Sequence, residues 1–498
     1  MRKIIGLSIL IFWFVMMGLL IQKDLLSQWL PERSFNYARL IPPDVLLRDQ
    51  WMGIYYRNNK IGYSHTIVRA EKEDRGEGYI VENSTFFALP LLGKKQFINF
   101  RTFADINNLY LLKSFRASLS SSGYSYRVMG THLDGDRYDL IIDTGEEVHI
   151  ERRIPPDLIF ANILLPFKYI ENLKPPASIV ASVLNPLSLE AEKIVLTAVS
   201  TERIKINNME IETVLVDITN QQKLQARAWI DNEGNVVKVK TPFSLIMIDE
   251  PVLEATTIDL DTIVDIDLYH EVAIPAVIEN KSGDFISYLK VKLSGVNLDE
   301  ERLKSFNQIV FKKEDSYIIE IRTKDINAKG SKTIDGLNGA FHEYTQPTTF
   351  IQSDHKEIIR QARQIVRGEN NAWSAVKLLS EWVNQSIKQI PTVSVPSALD
   401  ILHKRQGDCN EIVTLFAALA NSLGIPAYPV LGLVYYNGAF FYHSWVNVYV
   451  GEWIAIDPTF NQLPADATHI QLSKGAISQY IDLAGMIGVI DVEVLEYK

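Results

Sequence analysis

The residues best suited to covalent chemistry lie near the C-terminal end of the sequence: Cys409, then His443, then Asp457. Cys409 is the only cysteine in 498 residues, so neither an intrachain disulfide nor a cysteine-ligated zinc site can form. Gly407-Asp408-Cys409-Asn410-Glu411 leads into Ile412, Val413, Leu415, Phe416, Leu419 and Leu423, an apolar stripe at helical spacing that stops at Gly424. Cys409 is therefore expected in the first turn of a buried helix. Unpaired N–H groups and the positive end of the helix dipole would there stabilise a thiolate, lower its pKa and donate to a developing oxyanion.

A thiol nucleophile needs a group to take its proton. Phe440 to Tyr449 reads as a strand carrying His443, and Trp453 to Asp457 reads as the next strand. Side chains alternate between the faces of a sheet, so the loop between these strands decides whether His443 and Asp457 can meet. A loop consisting of Val450, Gly451 and Glu452 would oppose His443 to Thr459 and Asp457 to Trp445, making His443 and Asp457 diagonal neighbours on one face. A two-residue turn would separate them. Taken singly, His443 could be an ordinary strand histidine and Asp457 a turn residue before Pro458; the combination in this order points to a Cys-His-Asp nucleophilic set. His403, His443 and His469 form no His-x-x-x-His pair, so no metal is expected, and no cofactor motif is present.

These residues sit on elements that the pattern also outlines. Ile358, Ile359, Ala362, Ile365 and Val366 mark one helix face, and Ala375, Val376, Leu379 and Val383 a second. Ser397 to Asp400 has the form of a helix-capping box. Residues 50–259 read as a large antiparallel β-rich domain, with turns at Arg57-Asn58-Asn59-Lys60, Asp134-Gly135-Asp136 and Asn232-Glu233-Gly234-Asn235. Prolines between Pro155 and Pro186 punctuate a stretch expected to hold a helical crossover. Residues 263–343 read as a small β-sandwich-like domain, where Leu289, Val291 and Leu293 alternate with Lys290 and Lys292. The catalytic unit is expected over 344–498, and the fold class is α+β.

Arg2 and Lys3 precede an apolar run, so residues 4–22 are expected to form a retained transmembrane anchor with the N-terminus in the cytoplasm and the body outside it. The alternative is a cleaved signal peptide, although no small-x-small cleavage signal follows Gly18. A net charge of −10 disfavours a broad basic surface for nucleic acid, and with the body placed outside the cytoplasm any protein or peptide substrate is expected in the cell envelope.

Gly407 to Glu411, the run Ala418-Leu419-Ala420-Asn421-Ser422-Leu423-Gly424-Ile425-Pro426-Ala427, then Tyr442-His443-Ser444-Trp445-Val446 and Trp453-Ile454-Ala455-Ile456-Asp457-Pro458-Thr459 closely resemble bacterial members of the transglutaminase-like superfamily. The resemblance spans roughly residues 344–472. It implies a papain-like core and a catalytic triad of Cys409, His443 and Asp457. The chain departs from the Gly-Gln-Cys-Trp pattern of the animal enzymes, so hydrolysis of a peptide or amide bond is a plainer expectation than crosslinking. No motif assigns a side-chain oxyanion donor, for which Gln389 and Gln406 are offered, and His469 reads as structural. The competing reading is a catalytically silent membrane-anchored scaffold whose β domains bind proteins.

Overall fold

The computed structural model describes residues 36–498 other than 42–44, 74–75, 92–93, 122, 161–172, 208, 221–222, 242–244, 260–271, 280–284, 297, 299, 324–329, 338, 393–394 and 476–488. The expected anchor at 4–22 lies outside the described residues. Among those described, no helix is long and apolar enough to cross a membrane.

Long runs of alternating residues between Leu47 and Asp249 build one 15-stranded sheet, in which the first described strand, Leu47–Tyr56, pairs both with Asn59–Glu73 and with Leu245–Asp249. Hairpin follows hairpin outward on both sides of this junction. The expected turn at 57–60 is present, with positive φ at Arg57 and Asn58, so an arginine carries half of the strain that the asparagines were expected to absorb. Of the expected crossover, residues 161–172 are not described, while the strands at its two ends, Ile159–Phe160 and Ser178–Leu184, pair in parallel.

Among the described residues, the small unit expected over 263–343 takes in a strand from outside that range. Its strands Tyr288–Ser294, Gln308–Lys313 and Ser316–Arg322 form a sheet with Asp491–Tyr497 from the C-terminal end of the chain. Leu289, Val291, Leu293 and Ile319 on this sheet share a core with Leu431, Leu433, Phe440, Ile470 and Leu472 of the catalytic sheet. The layer that completes the sandwich is thus the sheet that carries the histidine.

The helical signals are realised in Lys356–Val366, Ala372–Ser386 and Ala398–Lys404, the last with Ser397 accepting from the Asp400 N–H at 3.3 Å. They surround the Cys409–Ser422 helix, whose Ile412 to Ala420 are fully buried apart from slight exposure of Thr414. That helix lies against a sheet in which Ala439–Tyr449 is flanked by Ala427–Tyr436 on one side and by Trp453–Ile456 on the other. The large sheet packs on this unit beside the nucleophile: Lys404 Nζ donates to the Gly123 carbonyl at 2.8 Å, and the Tyr124 hydroxyl donates to the Gln406 carbonyl.

Gly432, directly opposite His443 in the sheet, has no room for a side chain, because a Cβ would sit 2.0 Å from the Ile470 carbonyl oxygen and 2.7 Å from Trp445. Since the obstacle is backbone, Gly432→Ala is expected to cost about 2–4 kcal/mol in chemical denaturation. A loss below about 0.5 kcal/mol would show that the strand can shift freely.

Candidate active site

The strands bearing His443 and Asp457 pair Tyr449 with Trp453, Val448 with Ile454, Asn447 with Ala455 and Val446 with Ile456. The connecting loop is Val450-Gly451-Glu452, so the odd-length connection required for a shared face is present. His443 Nε2 lies 2.7 Å from Asp457 Oδ2, with both side chains buried. The carboxylate's other oxygen accepts from the N–H groups of Thr459 at 2.8 Å and Phe460 at 3.1 Å, which pins Asp457 at the turn after its strand. Burial opposes ionisation of Asp457, yet His443 and His469 together hold it well below the usual carboxylate range.

Cys409 is the first residue of its helix, as expected. Asp408 caps it by accepting from the Asn410 N–H at 2.9 Å, while Glu411 Oε2 accepts from the Asp408 N–H at 2.8 Å and from the Thr392 hydroxyl at 2.9 Å. Gly407 permits this folding back, since a Cβ there would sit 2.4 Å from Glu411 Cβ. Ser444, the residue after His443, clamps the helix start to the strand: its hydroxyl donates to Asn410 Oδ1 at 2.6 Å, and its backbone N–H is directed to the Cys409 thiol. The nucleophile is thereby held against the strand one residue from the imidazole.

The expected lowering of the thiol pKa is not what these surroundings produce. Burial is the largest influence and pushes the Cys409 thiol well above its ordinary value; Asp408, Glu411 and Asp457 push the same way, against the Ser444 N–H. Cys409 keeps part of its surface open to solvent, so the burial acting on sulfur is that of dense packing around it and not of sealing. The helix-dipole argument considered only backbone, whereas the capping box brings two acidic side chains to the same helix end.

His469, read as structural from the sequence, reaches the site. Its Nε2 lies 3.1 Å from Asp457 Oδ2, the oxygen that also meets His443. Its Nδ1 lies 3.2 Å from the Asp466 carbonyl and 3.3 Å from Asp466 Oδ1. Burial acts to lower the His469 pKa, but Asp457 and Asp466 outweigh it and raise it to about 9. His443, Asp457 and His469 offer ligand-type atoms within 4.8 Å of one another, but the separations of 2.7 and 3.1 Å are those of hydrogen bonds, and the group is read as a hydrogen-bonded row.

The sequence also missed Phe460, whose ring stacks on the His443 ring at 4.8 Å and 11° while remaining 41% exposed. Tyr436 also stacks on Phe460, at 6.0 Å between ring centroids. Position after the Asp457-Pro458 turn was the available signal. Of the two glutamines offered as oxyanion donors, Gln389 gives its side-chain N–H to the Thr459 carbonyl at 3.0 Å, and the Gln406 side chain lies beside Gly123. Neither is brought to the thiol by these contacts. The Cys409 backbone N–H, at the first helical position, has no acceptor within the helix.

Among curated proteins none matches the sequence. Solved structures that share features include a candidate cysteine protease from Cytophaga hutchinsonii, 19% identical over 43% of this chain and 86% of that one, with a TM-score of 0.32. A protein described as a TGase is 14% identical over 36% of this chain and 57% of its own, with a TM-score of 0.21. A β-barrel-like protein of unknown function from Brucella abortus is 8% identical over 42% of this chain and 99% of its own, with a TM-score of 0.29. The model of the transglutaminase-like superfamily matches residues 359–458, which take in Cys409, His443 and Asp457, and this part of the chain is a transglutaminase-like domain.

Proposed function

We propose that the chain is a cysteine-dependent acyl-transfer enzyme, acting outside the cytoplasm on peptide or protein amides, with Cys409 as nucleophile, His443 as base and Asp457 as its orienting partner. The observation that carries the reading is the buried His443–Asp457 hydrogen bond at 2.7 Å on the strand that also holds the start of the Cys409 helix. Because Nε2 is engaged with Asp457, Nδ1 is the nitrogen that serves the thiol.

As sulfur attacks the acyl carbonyl, the thiol proton passes to His443 Nδ1, and the oxyanion receives the Cys409 backbone N–H. The C–N bond then breaks, the amine leaves with the proton from His443, and a thioester remains on Cys409. Water, activated by the same imidazole, hydrolyses the thioester to a free acid and regenerates the thiol. An amine in place of water would give transamidation, and the abundance of water favours hydrolysis.

An acylating thiol probe is expected to label the wild-type chain at one site and to spare Cys409→Ala, with hydroxylamine releasing the label as a thioester should. Equal labelling of both proteins would overturn the reading and leave the anchored scaffold.

A further inference from the structure

Asp457 Oδ2 receives two imidazoles, and only one of them serves the proposed reaction. The second, His469, is 3% exposed, and its surroundings define its protonation state without reference to any titration. Its Nε2 faces a carboxylate oxygen of Asp457; its Nδ1 faces the carbonyl and a carboxylate oxygen of Asp466. All of these atoms are acceptors when the acids are ionised, so both ring nitrogens must carry hydrogen. Asp466 is itself kept as an acceptor by the Thr468 N–H at 2.9 Å and the Thr468 hydroxyl. Burial works against ionisation of Asp466, and His469 with Thr468 brings it below its ordinary value.

We infer that His469 is a positioning residue: a buried imidazolium that links Asp466 to Asp457, fixes the Asp457 carboxylate in its ionised, His443-facing orientation, and offsets part of its charge. The inference rests on the proposed role of the His443–Asp457 pair. The raised His469 pKa, about 9, agrees with it.

The consequence falls on His443. Its ring faces Asp457 Oδ2 at the end of the neighbouring strand, stacks on Phe460, and lies across the carboxylate from His469. The two rings are 6.2 Å apart between centroids and share one carboxylate oxygen, so a charge on His469 acts at short range on the His443 ring.

The test is histidine NMR on the full-length chain carrying ¹³C,¹⁵N-labelled histidine, in a Cys409→Ala background, so that no turnover is needed. His469 is expected to show two protonated nitrogens up to about pH 8, and the His443 midpoint to rise by about one pH unit in His469→Gln, which keeps a donor and loses the charge. In the Cys409 protein the acid limb of probe acylation should move up by the same amount. A neutral His469 at pH 7, or an unmoved His443 midpoint in a folded His469→Gln protein, would overturn the inference. If that variant fails to fold, the wild-type His469 nitrogen signals decide alone. Absence of acylation in every protein would sink the enzymatic reading, while the titrations would still report on the charge of His469.

Discussion

His443→Ala is expected to slow acylation of Cys409 by about 10³–10⁴-fold at neutral pH, with the fold and the thiol intact. The size of the effect follows from the state of the sulfur. Where a thiol is ionised at rest, a simple alkylating reagent still finds a thiolate after the base is lost. Here burial, Asp408, Glu411 and Asp457 favour the neutral thiol and outweigh the Ser444 N–H, which favours the anion. Ionisation must then accompany proton transfer to the imidazole, so removal of His443 should suppress alkylation as well as acylation. Raising the pH into the ordinary thiol range should not restore the rate, because the Cys409 pKa lies well above it. The measurement is the second-order rate constant for probe and for alkylating reagent, followed from pH 6 to 9 in wild type and variant. A variant that alkylates within tenfold of wild type would mean a thiolate present at rest, in conflict with the acidic crowding at the helix start.

How far the site could be read in advance depends on whether each feature is local. The helix that starts at Cys409 and the shared face of His443 and Asp457 follow from an apolar stripe, Gly424 as a stop and the parity of one short loop, all contained in about 50 residues. Ser397 as a cap was equally visible, because capping is decided within one turn. The sign of the Cys409 shift was not. It depends on Asp457 arriving from another strand, on packing around sulfur, and on Glu411 folding back over Gly407, which the helix-dipole argument ignored. His469 escaped for the same reason. It stands twelve positions after Asp457, beyond a turn closed by paired bonds between Asp457 and Gln462, and no periodicity announces that the next strand, Ile470–Lys474, returns to the opposite side of Ala427–Tyr436.

The same distinction applies to the fold. Successive hairpins of the large sheet are written in turn residues and alternation. The pairing of Met52 with Asp249, which joins the two halves of that sheet, has a sequence separation that no pattern can bridge. Nor does composition reveal that Asp491–Tyr497 leaves the catalytic unit to complete the small sheet. Such placements are fixed by which apolar faces remain to be covered once local elements exist.

Asp457→Asn is expected to lower acylation by about 10⁴-fold and also to destabilise the chain by about 3–5 kcal/mol. Asp457 accepts four hydrogen bonds: from His443 and His469 on Oδ2, and from the Thr459 and Phe460 N–H groups on Oδ1. An asparagine that keeps its oxygen toward Thr459 and Phe460 turns an N–H₂ group toward two imidazoles. His443 must then present a bare Nε2, which moves its proton to Nδ1 and removes the acceptor that the thiol requires. His469 loses one of its two counter-charges while remaining buried. The opposite rotamer rescues the imidazoles and leaves two backbone N–H groups without partners. The pH dependence separates this account from generic damage. Because the folded-state pKa of Asp457 is lowered by its histidines despite burial, the stabilisation is fully present above the unfolded carboxylate pKa of about 4 and declines as the pH falls below it. Denaturation of wild type and variant should therefore differ fully from pH 7 down to about pH 5, and the gap should narrow progressively as the pH falls from about 4 toward 2. A gap that stays constant across that range would show that the carboxylate's charge contributes nothing, and with it would go the case that a buried anion holds the two rings in place.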